Sequence, residues 1–232
     1  MDTGATRVET TPHVAWARAW FGSTAFAVFA GIIVQLIAVA DEEGGRFSSP
    51  AARSFNVFCF FTIQSNLIVG VTSLLLAIDL HRTSTAFRVF RLTGVVAIAI
   101  TGVIYHLALA NLRELTGHAA VADQLLHTVV PILGVLGWVL IGPRGLTSWR
   151  VACLALVFPG CWMAFTLIRG PIVDFYPYPF VDVGDLGYPK VIATSVGIAV
   201  LFLGLSAGAT VLDARSPGIE ARPVGLAADI ET

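Results

Sequence analysis

Six stretches of this chain are each long and apolar enough to cross a bilayer, and that pattern constrains the fold more than any motif does. They run Trp16–Ala40, Phe55–Ile78, Leu92–Ala110, Leu125–Ile141, Trp149–Ile168 and Val191–Leu212. A crossing takes about 20 mostly apolar residues, with about 17 as the lower limit. The fourth run sits at that limit, and Asp123 and Gln124 are placed to extend it. Backbone groups in hydrocarbon must be satisfied within the segment, and none of the runs alternates as a barrel strand does, so all six read as helices. The expected fold is therefore all-α: a polytopic membrane protein, a bundle of six transmembrane helices over residues 16–212. Residues 1–15 and 213–232 read as disordered tails. The first run is too long and too late for a cleaved signal peptide and reads as a retained anchor.

Charge agrees with this reading. Only 12% of the residues are charged and mean hydropathy is +0.81, where a soluble domain carries about 25% charge. A net charge of −1 gives no reason to expect a nucleic-acid partner. Nine basic residues (Arg7, Arg18, Arg82, Arg88, Arg91, Arg144, Arg150, Arg215 and Arg222) fall on the side of the termini, against five on the other (Arg46, Arg53, Arg113, Arg169 and Lys190). The positive-inside rule then puts both termini in the cytoplasm. The three cysteines, Cys59, Cys153 and Cys161, fall within apolar runs and form no CxxC, so neither a disulfide nor a metal site is expected. No cofactor is expected either.

Polar residues inside spans are costly and mark candidate sites. In the second run, FFTIQSN places Thr62 on one helical face with Ser65, Asn66 and Cys59, while Gln64 points away. These residues also suit interhelical hydrogen bonding with no chemistry attached. In the fourth, DQLLHTVVP puts Asp123 one turn before His127. Pro131 has no N–H for the His127 carbonyl, which predicts a bend there. Asp123 either caps the helix or holds the imidazole. Tyr105 and His106 lie near the end of the third run. At 1.5 Å per residue, Thr62 lies about 10 Å and His127 about 3–6 Å below the outer surface, with His106 at a similar level. All three converge beneath the Arg169–Lys190 segment, whose four prolines and five aromatics read as either a rigid cap or an interfacial belt.

A hydroxyl with an imidazole nearby is the minimum for nucleophilic acyl transfer. Thr62 would attack, His127 would take the proton, and Asp123 would fix the tautomer. Asn66, Arg169 and tyrosine hydroxyls at the mouth are the candidate oxyanion donors. No GxSxG, HExxH or phosphate-binding loop is present.

The FFTIQSN, HTVVP and YPYPFVD segments resemble the androgen-induced and androgen-dependent family of six-span membrane hydrolases, and its small bacterial branch most closely. The likeness runs over roughly Trp16 to Leu212. It implies a threonine hydrolase acting without metal on fatty acid esters of hydroxy fatty acids, with the family's Thr on Thr62 and its His on His127. In the animal members an Asn follows the Thr after two residues, whereas here three residues intervene before Asn66. With Asn66 as the anchor, Ser65 becomes the rival nucleophile. The expected partner is a fatty-acyl ester entering sideways from the outer leaflet. The alternative is a non-catalytic lipid-binding or structural membrane protein. Transport ranks lower, because no internal repeat is visible.

Overall fold

Serines at loop ends set where three of the helices begin. The Ser49, Ser84 and Ser148 hydroxyls accept hydrogen bonds from the Ala52, Phe87 and Val151 amides, satisfying N–H groups that a helix start leaves orphaned. The structure, a computed structural model, describes residues 12–42, 46–112 and 114–216. Among them are nine α-helices and no strand. These are α1 (Pro12–Ala40), α2 (Pro50–Val57), α3 (Phe61–Ile78), α4 (Thr85–Ile104), α5 (Gly117–Gln124), α6 (Val130–Leu136), α7 (Trp149–Ala155), α8 (Val157–Val173) and α9 (Val183–Arg215). They join into six helices long and apolar enough to cross a membrane: His13–Ala40, Phe61–Ile78, Thr85–Leu109, Gly117–Ile141, Trp149–Val173 and Val183–Arg215. The protein is an all-α, multi-pass six-helix bundle. Large apolar side chains stand far out of it on several spans, Phe26 at 75%, Leu107 at 82%, Ile172 at 77% and Val200 at 67% exposure. Lipid, not water, is the solvent that tolerates such a girdle.

Helix α4 holds the centre, packed against α3, α6, α7 and α9, while α1 lies along α3 and α5. One apolar core joins Val28 and Ile32 to Val69, Ile98, Leu126 and Val130, and another joins Leu92, Val96 and Ile100 to Val151, Ala155 and Phe202. Close approach of helices depends on glycine. A Cβ at Gly102 would stand 2.9 Å from Cβ of Pro131, a rigid and buried ring that cannot give way. Gly102→Ala is therefore expected to cost about 1–3 kcal/mol by overpacking, read as a lower melting temperature in detergent.

Several expected boundaries shift. The second run is not one helix. The chain leaves helical geometry at Phe60 (φ −76°, ψ 136°), so α2 and α3 are separate and Cys59 lies in the break between them. Distant side chains satisfy the broken backbone: the Trp162 indole donates to the Cys59 carbonyl (3.0 Å) and the Gln64 amide to the Phe58 carbonyl (2.9 Å). At Pro131 the expected disturbance is seen in the backbone just before the ring. The turn before it widens into a π-turn, Leu125–Val129, and the span continues through it. A second π-turn, Tyr105–Leu109, ends the α4 span at the same level of the bundle. The Arg169–Lys190 segment is mostly helical. Helix α8 runs to Val173, and the Asp182 carboxylate caps the start of α9 by accepting from the Gly184 amide (2.8 Å). At the termini, helix begins by Pro12 and continues to Arg215, so residues 12–15 and 213–215 are not tails. The remainder of both expected tails, 1–11 and 217–232, lies outside the described residues.

Candidate functional site

Because α3 starts at Phe61, Thr62 is the second residue of a helix whose first amides have no partner within it. No side chain at Phe60 caps them. Tyr178, from the segment between α8 and α9, does so instead. Its hydroxyl accepts a hydrogen bond from the Thr62 amide (3.0 Å) and lies 3.0 Å from the Thr62 Oγ1. The Tyr178 ring is held by edge contact with Phe60 and by stacking on Phe180. Burial pushes the Tyr178 phenol above its ordinary pKa, and the hydrogen bonds with Thr62 pull it only partway back. Tyr178 is thus a neutral phenol and a hydrogen-bond donor.

Thr62 and Tyr178 form part of the wall of a cavity of about 490 Å³ between α3, α4, α8 and α9. Phe61, Ile100, Trp162 and Phe202 supply much of the apolar wall, with Tyr105 and Leu109 coming from the π-turn that ends α4. This size suits a lipid-sized ligand. The Arg169–Lys190 segment reaches the cavity through Tyr178 and Phe180, as a cap over the mouth would.

Asp123 and His127 meet as their spacing predicts, with Asp123 Oδ1 2.9 Å from His127 Nδ1. The approach departs from a linear N–H···O bond, and Nδ1 has no other hydrogen-bond partner. Tyr105 completes the group. Its hydroxyl donates to Asp123 Oδ2 (2.6 Å) and its ring stacks on the imidazole, centroids 3.9 Å apart and planes 16° apart. Tyr105 lines the cavity and His127 does not. The tyrosine ring therefore stands between the imidazole and the space that Thr62 faces, and Thr62 has Tyr178, not His127, as its hydroxyl partner.

The other candidates are placed as follows. Ser65 is fully buried and lies off the cavity wall. Its hydroxyl donates to the Thr62 carbonyl (2.9 Å) and lies 3.2 Å from that of Thr101. The Asn66 amide nitrogen has both protons engaged, by the carbonyls of Thr62 (2.8 Å) and Leu126 (3.2 Å), which leaves it none for an oxyanion. It ties α3 to the π-turn beside His127. Arg169 lies outside the cavity wall, bonded to Asn56 Oδ1 (2.9 Å) and flanked by the Phe47 and Phe175 rings. His106 is exposed, with Nε2 3.1 Å from the Thr128 hydroxyl, and also lies off the wall. No group of three or more His, Cys, Asp or Glu side chains among the described residues is placed to hold a metal.

Sequence reasoning did not single out Tyr178. Its signal was the second tyrosine of YPYP, one of the mouth tyrosines that were considered as oxyanion donors only as a group. It also missed a charged cluster at the opposite end of the bundle. Arg91, Arg144 and Asp213 are each at least 95% buried. Arg91 donates to the Pro143 carbonyl (2.8 Å), and Asp213 accepts from the amide (2.9 Å) and hydroxyl (2.8 Å) of Thr147.

Comparison with family models, with curated proteins and with solved structures finds no match for this chain.

Proposed function

We propose that this protein is a membrane-embedded hydrolase of fatty-acyl esters with Thr62 as its nucleophile. The observation that carries the reading is the Thr62 hydroxyl itself. It is buried, sits at a helix N-terminus, and faces a large apolar cavity beside a neutral phenol. A hydroxyl in that place has its acyl group brought to it, and developing negative charge on the carbonyl oxygen meets the Tyr178 O–H and the positive end of α3. Thr62 Oγ1 attacks the ester carbonyl, the C–O bond to the alcohol breaks, and the alcohol leaves with the proton that His127 has taken from Thr62. Water then cleaves the acyl-threonine, and His127 again handles the proton. Asp123 fixes the His127 tautomer. For the imidazole to reach the threonine, the Tyr105 ring must leave its stack or a water must bridge past it. Catalytic contacts are commonly looser in a ligand-free state than in the reacting one.

One observation favours a second reading, a non-catalytic lipid-binding protein: the separation of His127 from the cavity. A fluorophosphonate probe applied to membranes separates the two. Labelling that disappears in Thr62→Ala supports the hydrolase, whereas unchanged labelling of Thr62→Ala, or none in the wild type, leaves the binding protein.

The proposed location is the cytoplasmic membrane of a bacterium with both termini inside, supported by the nine-to-five basic bias. A C-terminal fusion to a reporter active only in the cytoplasm is expected to be active. Activity of a periplasm-only reporter at that position would invert the orientation.

A further inference from the structure

None of the side chains lining the Thr62 cavity is charged. Its polar groups are already occupied. Thr101 is paired with Ser65, Tyr105 with Asp123, and Ser195 with the Val191 carbonyl (2.6 Å). Only the Thr62 and Tyr178 hydroxyls meet each other on the wall itself. A charged group entering such a space loses its water and gains no counter-ion, which strongly disfavours it.

The same cavity has an incomplete wall. Four of its lining residues are exposed on the outside of the bundle: Gly160 on α8, and Ile192, Val196 and Ala199 on α9. Ile192 and Val196 are 52% and 57% exposed, and all four lie within the apolar spans. Along the seam between these two helices the cavity wall is thus also lipid-facing surface, and an opening there would be a slot into the bilayer. A Cβ built on Gly160 meets nothing within 4 Å, so a larger side chain has room to grow there. Across it, Ser195 Oγ lies 3.5 Å from Met163 Sδ, a weak contact to an adaptable side chain.

We infer that an uncharged lipid ester enters the cavity from the bilayer through the slot between α8 and α9, and that Gly160 and Ala199 set what passes. The inference rests on the reading of the Thr62 cavity as a lipid site and names the class of lipid, a neutral ester whose alcohol side bears no charge near the carbonyl. A phospholipid is disfavoured. Bringing its ester to Thr62 would pull the phosphate a few bonds away into the uncharged space.

The test needs no turnover. The protein in nanodiscs is irradiated with one of two probes, the methyl ester of a long-chain fatty acid with a diazirine in the chain, or a phosphatidylcholine carrying the same chain. Adducts are then mapped by mass spectrometry. The methyl ester is expected to mark cavity residues such as Trp162 and Met163, and the phosphatidylcholine to leave them unmarked. Gly160→Phe and Ala199→Phe, which fill the slot from opposite sides, are each expected to reduce those adducts about tenfold, a loss equivalent to about 1.4 kcal/mol. Gly204→Phe, exposed on α9 away from the cavity, leaves them unchanged. Undiminished adducts in both slot variants, or cavity adducts from the phosphatidylcholine, overturn the inference. Slot-dependent labelling in a protein that hydrolyses nothing supports it and removes the hydrolase. Hydrolysis with labelling indifferent to the slot does the reverse.

Discussion

Thr62→Ala is expected to lower kcat for a medium- or long-chain ester by about 10³-fold or more, because the other aliphatic hydroxyls on the wall, Thr101 and Ser195, are tied to Ser65 and to the Val191 carbonyl and lack the Tyr178 phenol beside them. Ser65 is the obvious substitute by sequence, one turn deeper on the same face. It is fully buried, lies off the cavity wall, and donates its proton to the Thr62 carbonyl. Ser65→Ala should therefore retain measurable activity. His127→Ala should match Thr62→Ala, and the double variant should be no worse, since a nucleophile and its base act as one unit. Asp123→Asn should also be severe. Asp123 touches both the imidazole and the Tyr105 hydroxyl, so it does more than cap a helix. Tyr178→Phe, which removes one donor to the oxyanion, should cost about 10²-fold. Purified variants assayed in detergent with a fluorogenic ester give the comparison. Full activity in Thr62→Ala with none in Ser65→Ala would move the nucleophile to Ser65, and full activity in both would end the catalytic reading.

Asp213→Ala is expected to destabilise the folded protein by about 1–3 kcal/mol, the cost of leaving the buried Thr147 amide and hydroxyl without their acceptor. The carboxylate is 4% exposed, holds the Thr147 amide and hydroxyl, and lies within electrostatic reach of Arg91 and Arg144. Removing it leaves two buried guanidiniums at that end of the bundle. Asp213→Asn, which keeps an acceptor for Thr147 but loses the charge, should fall between the wild type and the alanine variant. Thermal unfolding in detergent reads both. A melting temperature for Asp213→Ala equal to that of the wild type would show that the cluster needs no carboxylate.

The spans were legible because they depend on composition over about 20 residues, which tertiary context cannot override in hydrocarbon. The pairing of Asp123 with His127 was legible for a similar reason, since it is a local i,i+4 relation that survives even the π-turn between them. The break before α3 was not. Nothing near Phe60 is a helix breaker, and the groups that satisfy the opened backbone, Trp162 and Tyr178, lie about 100 residues further along the chain. The proline signal at Pro131 marked the disturbance but not its form, because periodicity gives no measure of how far a turn will widen. Arg91, Arg144 and Asp213 counted only as loop or terminal charges in the sequence. Their burial depends on α4, the loop after Ile141 and the far end of α9 meeting, which is topology and not pattern.

Chain order gives that last cluster a direction in time. Synthesis proceeds from the N-terminus, so Arg91 and Arg144 emerge well before Asp213, which lies three residues from the end of the final helix. Until α9 inserts, the two guanidiniums lack the carboxylate that offsets them. Its arrival closes the bundle, and a nascent chain cut short before Asp213 carries uncompensated positive charge at that end of the bundle.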